Sequence, residues 1–486
     1  APFHDWNERV YSECYRPNAF VEFPDGATAE PKTINNYENI SFNFGPTLLS
    51  WLEQNHRETY DRIIDADRAS APRNLGHGNA IAQAYGHAIL PLCNERDLRT
   101  QIRWGLADFR YRFGREAEAL WLPETACNDR VLDALTEEGL RFVILAPHQA
   151  ARIRKAVGND PVSEKEGWKS VDQQILDTSI PYLRFHRDGS HRSIAVFFYD
   201  GPTSRAIAFE KTLTSSREFI DRLALAVNGR KMITVATDGE TYGHHFKFGD
   251  LCLAHALEEE APATGFEITN YAAYLEAHPP TFEVEINSGP NEEGTSWSCV
   301  HGIDRWIRDC GCQTGGEPGW NQKWREPLRT ALNYLRDENI AHFEATRGKL
   351  FIYPWLARDE SITLILDAHA SREKFLFDQA GRWLSSDDQQ RALTYLELQR
   401  MLILMYTSCG WFFNDIAGIE TIQILRYAGR AIDLMDKLGL PSVLERFLEI
   451  LSEAKSNKAE IGNGAEIYRK LVEPLRSDRV QETITA

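Results

Sequence analysis

Cysteine is scarce in this chain, with eight in 486 residues. That density cannot build a disulfide scaffold. It favours a reducing compartment, so a cytoplasmic location is expected. Positive charge is also short: Lys and Arg number 54 against 71 Asp and Glu, a formal net charge of −17. Such a balance excludes non-specific binding to nucleic acid or anionic membrane, which both need cationic surface. Long apolar runs are missing as well. The longest, residues 401–406 and 194–199, are about a third of what a membrane-spanning helix needs. The first residues, Ala1-Pro2-Phe3-His4-Asp5, carry neither a basic nor an apolar leader region, so no secretory signal is read there. No repeat of 20–50 residues and no low-complexity tract is evident. Nucleotide and common hydrolase signatures are absent too: there is no G-x-x-x-x-G-K-[ST], no G-x-G-x-x-G after a strand, no G-x-S-x-G and no H-E-x-x-H.

What is present is an ordinary globular composition, 43% apolar and 26% charged. The length suggests about three domains or one large barrel with an appendage. Up to about residue 290, strand-like runs at 40–44, 120–122, 142–146, 194–200, 232–238 and 282–286 alternate with helical patterns at 47–64, 97–113, 130–138 and 204–227. Several of these runs are apolar without strict alternation, as in parallel strands buried on both faces. The alternation predicts an α/β fold, either a barrel or a doubly wound sheet. The turn signal Arg187-Asp188-Gly189-Ser190 predicts a hairpin over 181–198. From residue 291 a Gly, Trp and Cys-rich stretch leads into helical periodicity at 326–343, 387–406, 418–438 and 443–454. The chain is therefore expected to divide into residues 1–290, a barrel, and residues 291–486, a Trp/Cys-rich loop plus an α-helical domain.

Two acidic strand ends stand out. Trp121-Leu122-Pro123-Glu124 places a carboxylate at the exit of an apolar run, where α/β barrels build active sites. Glu124 reads equally as a cap for the helix that starts near Asp129. In Thr237-Asp238-Gly239-Glu240 two acids follow a second apolar run. If that strand persists, Asp238 and Glu240 share a face, and their proximity would keep one of them protonated. An Asp-Gly turn is the alternative, but His244 and His245 next to it favour a site. His77 and His87 are weighed against a role as satisfied core histidines. Cys299, His301, Cys310 and Cys312 lie close in sequence, yet C-x10-C-x-C lacks paired C-x2-C knuckles. Buried thiols in a tightly packed loop are expected there, with no metal and no cofactor. Trp297, Trp306, Trp320, Trp324 and Trp411 are either sugar platforms or packing residues.

These motifs together resemble glycoside hydrolase family 57. Phe113-Gly114 followed by Trp121-Leu122-Pro123-Glu124 is similar to its third conserved region, where the Glu is the nucleophile. Asp238-Gly239-Glu240 with Gly243-His244 resembles the fourth, where the Asp is the general acid/base. The stretch from Tyr85 to Leu92 resembles the second, with His87 at the substrate. Trp297 and His301-Gly302 are similar to the Trp-His-Gly of the fifth. The segment from Ser408 to Phe413 resembles a helical-domain loop carrying Asp-Trp, with Gly410 standing where that Asp would be. Residues 290–486 resemble an uncharacterised C-terminal domain that accompanies one branch of the family.

The resemblance implies a (β/α)7 barrel followed by helices. It implies retaining chemistry on the α-glucosidic bonds of α-glucans, amylase-like or glucanotransferase-like, without a metal. Glu124 and Asp238 would be catalytic; His87, Trp121, Glu240, His244, Trp297, His301 and Trp411 would bind the oligo- or polysaccharide. A retaining pair stands about 5–5.5 Å apart. No first-region motif precedes His4-Asp5-Trp6, so the barrel is expected to lack its first strand. That expectation and Gly410 motivate the alternative of a non-catalytic glycan-binding protein on a degenerate scaffold. A metal-dependent deacetylase is a third reading, disfavoured because adjacent His244 and His245 would face opposite sides of a strand.

Overall fold

The computed structural model describes residues 5–23, 32–156, 167–171 and 176–476. The chain forms two compact units. The first comprises residues 1–83, 109–125 and 132–287; the second comprises 84–108, 126–131 and 288–486.

A run of parallel pairings organises the first unit. Phe42 bridges Ala80, Ala82–Gln83 pairs with Leu120–Trp121, and Ala119 bridges Phe142. Phe142–Leu145 then pairs with Ser193–Phe198 over four residues. Residues 232–238 follow in extended form beside that strand's end, where the Asp200 amide donates to the Thr234 carbonyl at 2.7 Å. Phe-Val-Ile-Leu at Phe142–Leu145 is buried throughout, because a parallel strand has neighbours on both faces and no side for polar residues.

Three expectations change here. Ala82–Gln83 is a strand that the sequence hides, being two residues long without a β-branched side chain. Residues 232–238 are extended but not a regular strand. Phe282–Ile286 does not join the parallel series. It pairs antiparallel with Ala150–Lys155, and at Glu283 parallel with Leu183. There Arg152 meets Glu285 and Arg154 meets Glu283 directly across the ladder, the opposite-charge pairs that stabilise antiparallel neighbours. The hairpin predicted over 181–198 is present as Tyr182–Phe185 and Ser193–Phe198, antiparallel in register.

The second unit is helical. Arg325–Glu344, Ser386–Leu404, Ile419–Leu438, Leu444–Leu451 and Gly464–Leu471 carry its main elements. Their apolar stripes converge on one core that includes Leu332, Phe343, Leu398, Leu425, Ile432 and Phe447. Three- and four-residue spacing of those side chains explains why the predicted helices fall within two residues of the observed ones at most ends. Among the described residues, no helix is long and apolar enough to cross a membrane.

Candidate active site

Glu124 lies just past the short strand Leu120–Trp121, inside the turn Pro123–Thr125. Its backbone is left-handed, with φ of 59°, and Thr125 follows at 49°. Each such residue without a glycine costs about 1–3 kcal/mol and persists only where the surroundings hold it. Here the holder is Gln149, which is fully buried. Its side-chain amide donates to the Thr125 carbonyl at 2.9 Å, and its side-chain oxygen accepts from the Thr125 hydroxyl at 3.0 Å and from the Ala146 amide at 2.9 Å. The turn is thus pinned to the next strand end, and Glu124 is left half-buried at its apex. Trp121, one strand position before the turn, is half-buried.

Asp238 ends the extended segment, and Gly239–Thr241 curls into a 3-10 turn. The alternation argument for Asp238 and Glu240 therefore fails, since no strand continues between them. The turn brings them together instead. Asp238 is open to solvent on one side, yet protein surrounds it on the others. That desolvation, followed by the charges of Glu240 and Glu124, pushes its carboxyl from 3.8 up to about 7. Both neighbouring acids act in the same direction, so Glu124 belongs to the same electrostatic cluster.

The sequence reading missed the N-terminal helical segment as a partner. Trp6–Val10 continues as a π-helical turn, Tyr11–Tyr15, and ends in Arg16–Ala19. The Tyr15 hydroxyl donates to Glu240 at 2.6 Å. Burial and the Glu240 charge hold that phenol well above its usual pKa, so it stays a donor. Glu13 accepts from His244 Nδ1 at 2.5 Å, and this hydrogen bond, with Arg9 beside it, lowers the Glu13 carboxyl. The Cys14 thiol donates to the Gly239 carbonyl at 3.3 Å. Gly243 makes this approach feasible. Its φ is +138°, and a Cβ there would sit 2.2 Å from the Glu13 carbonyl oxygen. Inserted π turns are frequent at functional sites, but an Arg-Val-Tyr-Ser-Glu-Cys-Tyr string has no marker that predicts one.

His77 is held between Glu118 and Glu276, at 2.9 and 3.0 Å. His244 and His245 lie in a loop with ring centroids 5.3 Å apart, so the opposite-faces argument loses its strand. Among the described residues, the one group of three or more metal-ligating side chains close enough to share an ion is Cys299, His301, Cys310 and Cys312.

The other residues assigned to substrate belong to the second unit. His87 is half-buried with φ of 52°, its Nδ1 at 2.7 Å from the Ser408 hydroxyl. Trp297 is half-buried and His301 exposed. Trp411 is a correction: it is completely buried, and its indole N–H donates to the Arg325 carbonyl, which leaves no ring face for a sugar. Trp306 and Trp324 are likewise core residues. Gly410 also has a structural reason, since a Cβ there would lie 2.4 Å from Ile424 Cδ1. An Asp at that position would have to displace the Ile424 side chain. The expected buried thiols are corrected in part: Cys299 is buried, while Cys310 and Cys312 are partly exposed. None of the eight cysteines is in a disulfide.

Comparison with known proteins bears on this site. The chain is 24% identical over 241 residues to an α-amylase of Pyrococcus horikoshii, covering 45% of this chain and 35% of that protein. It is 20% identical over 300 residues to a 4-α-glucanotransferase of Thermococcus litoralis, covering 60% and 39%. The chain thus spans little more than a third of these relatives' lengths. Among solved structures, an exo-type maltose-forming amylase from Pyrococcus sp. ST04 superposes with a TM-score of 0.63 at 15% identity, over 92% of this chain and 74% of that one. A family 57 branching enzyme from Thermococcus kodakaraensis superposes with 0.55 at 16% identity, over 97% and 92%. These likenesses establish a TIM-barrel-like fold for the α/β part. A domain of unknown function (DUF3536) matches residues 320–484, and the profile of glycosyl hydrolase family 57 matches residues 8–287. The chain belongs to glycosyl hydrolase family 57.

Proposed function

We propose that this chain is a retaining glycosidase or transglycosylase acting on the α-glucosidic bonds of α-glucans. Residues 1–290 would form a (β/α)7-type barrel that carries the chemistry, and residues 291–486 the helical appendage. The observation that carries the reading is Asp238: a carboxyl raised to about 7 is still protonated in a large fraction of molecules at neutral pH while standing beside two other acids. A general acid works best with a pKa close to the operating pH.

In this reading the Glu124 carboxylate attacks the anomeric carbon as Asp238 donates its proton to the departing glycosidic oxygen. A glycosyl ester on Glu124 results. Asp238, now a carboxylate, then takes a proton from water or from an acceptor sugar hydroxyl as that oxygen bonds to the anomeric carbon and the ester bond to Glu124 breaks, giving hydrolysis or transfer. Glu240 stands second to burial in raising Asp238 and is itself oriented by Tyr15. His244, its Nδ1–H held by Glu13, offers Nε2 as an acceptor for a sugar hydroxyl, and the half-buried Trp121 ring offers a stacking face. Of the other residues that the resemblance assigns to substrate, His87, Trp297 and His301 carry no step here.

Mass spectrometry of the chain quenched during turnover of a maltooligosaccharide tests this. A glycosyl adduct on the peptide containing Glu124, with retained anomeric configuration in the product, is expected. Turnover with inverted configuration, or an adduct on another residue, would refute the assignment.

A further inference from the structure

Outside the carboxylate cluster, one group of side chains is arranged for a ligand that the chemistry above does not use. Cys299, His301, Cys310 and Cys312 each direct one donor atom to a common point, with all four donors within 4.8 Å of one another. We propose that these four residues bind one zinc ion as a structural Cys3His site. The inference does not depend on the hydrolase reading, and it gives His301 a structural role in place of the substrate contact implied by the family resemblance.

The spacing carries the argument. A tetrahedral ion with zinc–sulfur bonds of about 2.3 Å sets neighbouring sulfurs about 3.8 Å apart, and a zinc–nitrogen bond of about 2.0–2.1 Å sets the imidazole nitrogen about 3.5 Å from a sulfur. In the chain Cys299 and Cys312 Sγ are 3.7 Å apart, Cys299 and Cys310 Sγ 3.9 Å, and Cys312 Sγ and His301 Nδ1 3.5 Å. A disulfide would need about 2.05 Å, so neither sulfur pair is bonded.

Backbone donors and a buried cation face the sulfurs. Backbone amides of His301 and Arg305 point at the Cys299 sulfur, and the Cys312 amide points at Cys310. Arg325 is fully buried. Its guanidinium lies 4.0 Å from Cys310 Sγ and donates to the Cys312 carbonyl at 3.4 Å and to the Phe412 and Phe413 carbonyls, both at 3.3 Å. No carboxylate among the described residues pairs with it. A buried cation needs an anionic counterpart. Zinc binding to three thiols and one neutral imidazole releases three protons to solvent and leaves a complex of net charge −1, which Arg325 neutralises. The two ligand pairs have the form Cys-x-His and Cys-x-Cys. Gly311, at φ of +79°, supplies the reversal that turns Cys310 and Cys312 to the same side. The ion would then tie the segment 299–302 to the segment 309–312.

The test uses the full chain, purified without chelator and dialysed against metal-free buffer. About one zinc per chain by mass spectrometry of the elements is expected. Replacing it with Co²⁺ should give tetrahedral d–d absorption and thiolate-to-cobalt charge transfer. His301→Ala, at an exposed position, should lose the cobalt spectrum's intensity while remaining folded by circular dichroism. The Cys310→Ser, Cys312→Ser double variant should lose zinc altogether. Less than about one-tenth equivalent of zinc with no cobalt spectrum in the folded wild-type chain would overturn the proposal. So would undiminished zinc in a folded double variant, or a Cys299–Cys312 disulfide in the protein purified without oxidant. Should the variants fail to fold, the wild-type cobalt spectrum decides alone.

Discussion

The carboxylate cluster of the first unit and the thiol cluster of the second are assembled in opposite ways. Glu124, Asp238 and Glu240, with Glu13 and Tyr15 behind them, come from elements scattered along the chain. Cys299, His301, Cys310 and Cys312 lie within residues 299–312. In the first cluster like charges are forced together, and the fold holds a proton and two left-handed backbone positions at a cost in stability. In the second, soft donors converge on a point where an ion would return stability. Strain and crowded charge mark reactive sites, whereas satisfied donor sets mark structural ones.

That contrast can be broken by substitution. Glu124→Gln should reduce turnover of maltooligosaccharides by about 10³-fold or more while leaving the melting temperature and circular dichroism near those of the wild type. Full activity would end the catalytic assignment.

Asp238→Asn should lower activity by roughly 10²–10⁴-fold, and its effect on stability has a sign of its own. The unfolded chain loses the Asp238 proton near 3.8, the folded chain near 7. Stability contributed by the protonated folded form is therefore present at low pH and is lost as pH rises through that window. The variant should gain stability relative to wild type at pH 8 compared with pH 5, measured as the difference in melting temperature. A gain at pH 5 alone would contradict the crowding of Asp238.

Gly243→Ala tests how the N-terminal helical segment is seated. With φ of +138° and the Glu13 carbonyl oxygen 2.2 Å from the new Cβ, it should destabilise by about 2 kcal/mol or more in denaturant unfolding. The smallest effect is expected for Glu240→Gln. Removing one of the two charges that raise Asp238 should move the alkaline limb of the pH–activity profile to lower pH, without abolishing turnover. A limb that does not move would place Glu240 too far from Asp238 to matter.

Much of this architecture was legible in the amino-acid order. Helical periodicity after residue 325 depends on neighbours three and four positions apart, so it survives reading without a structure. The apolar run at Phe142–Leu145 announced a parallel strand for the same kind of reason. The strand-end position of Glu124 and the Asp-Gly-Glu turn were visible as local patterns. Other features were not. Ala82–Gln83 is too short to carry a β signal, and Phe282–Ile286 looks like a barrel strand because pairing partners are not encoded in a strand's own composition. Taken singly Trp411 reads as a packing residue, and only the family resemblance placed it at the substrate; its burial returns it to the core.

The sequence by itself determined the acidic balance, the two strand-end carboxylates, the helical second half and a cluster of sulfur and nitrogen donors, because each is a property of composition or of nearby residues. Only the tertiary structure decided that Tyr15 and Glu13 buttress Glu240 and His244, that the Asp238 pKa rises to about 7, and that the donor atoms of three thiols and an imidazole gather within 4.8 Å of one another. Those depend on burial and on distances between segments remote in the chain. Neither is a function of local sequence, and both set the energies that the chemistry uses.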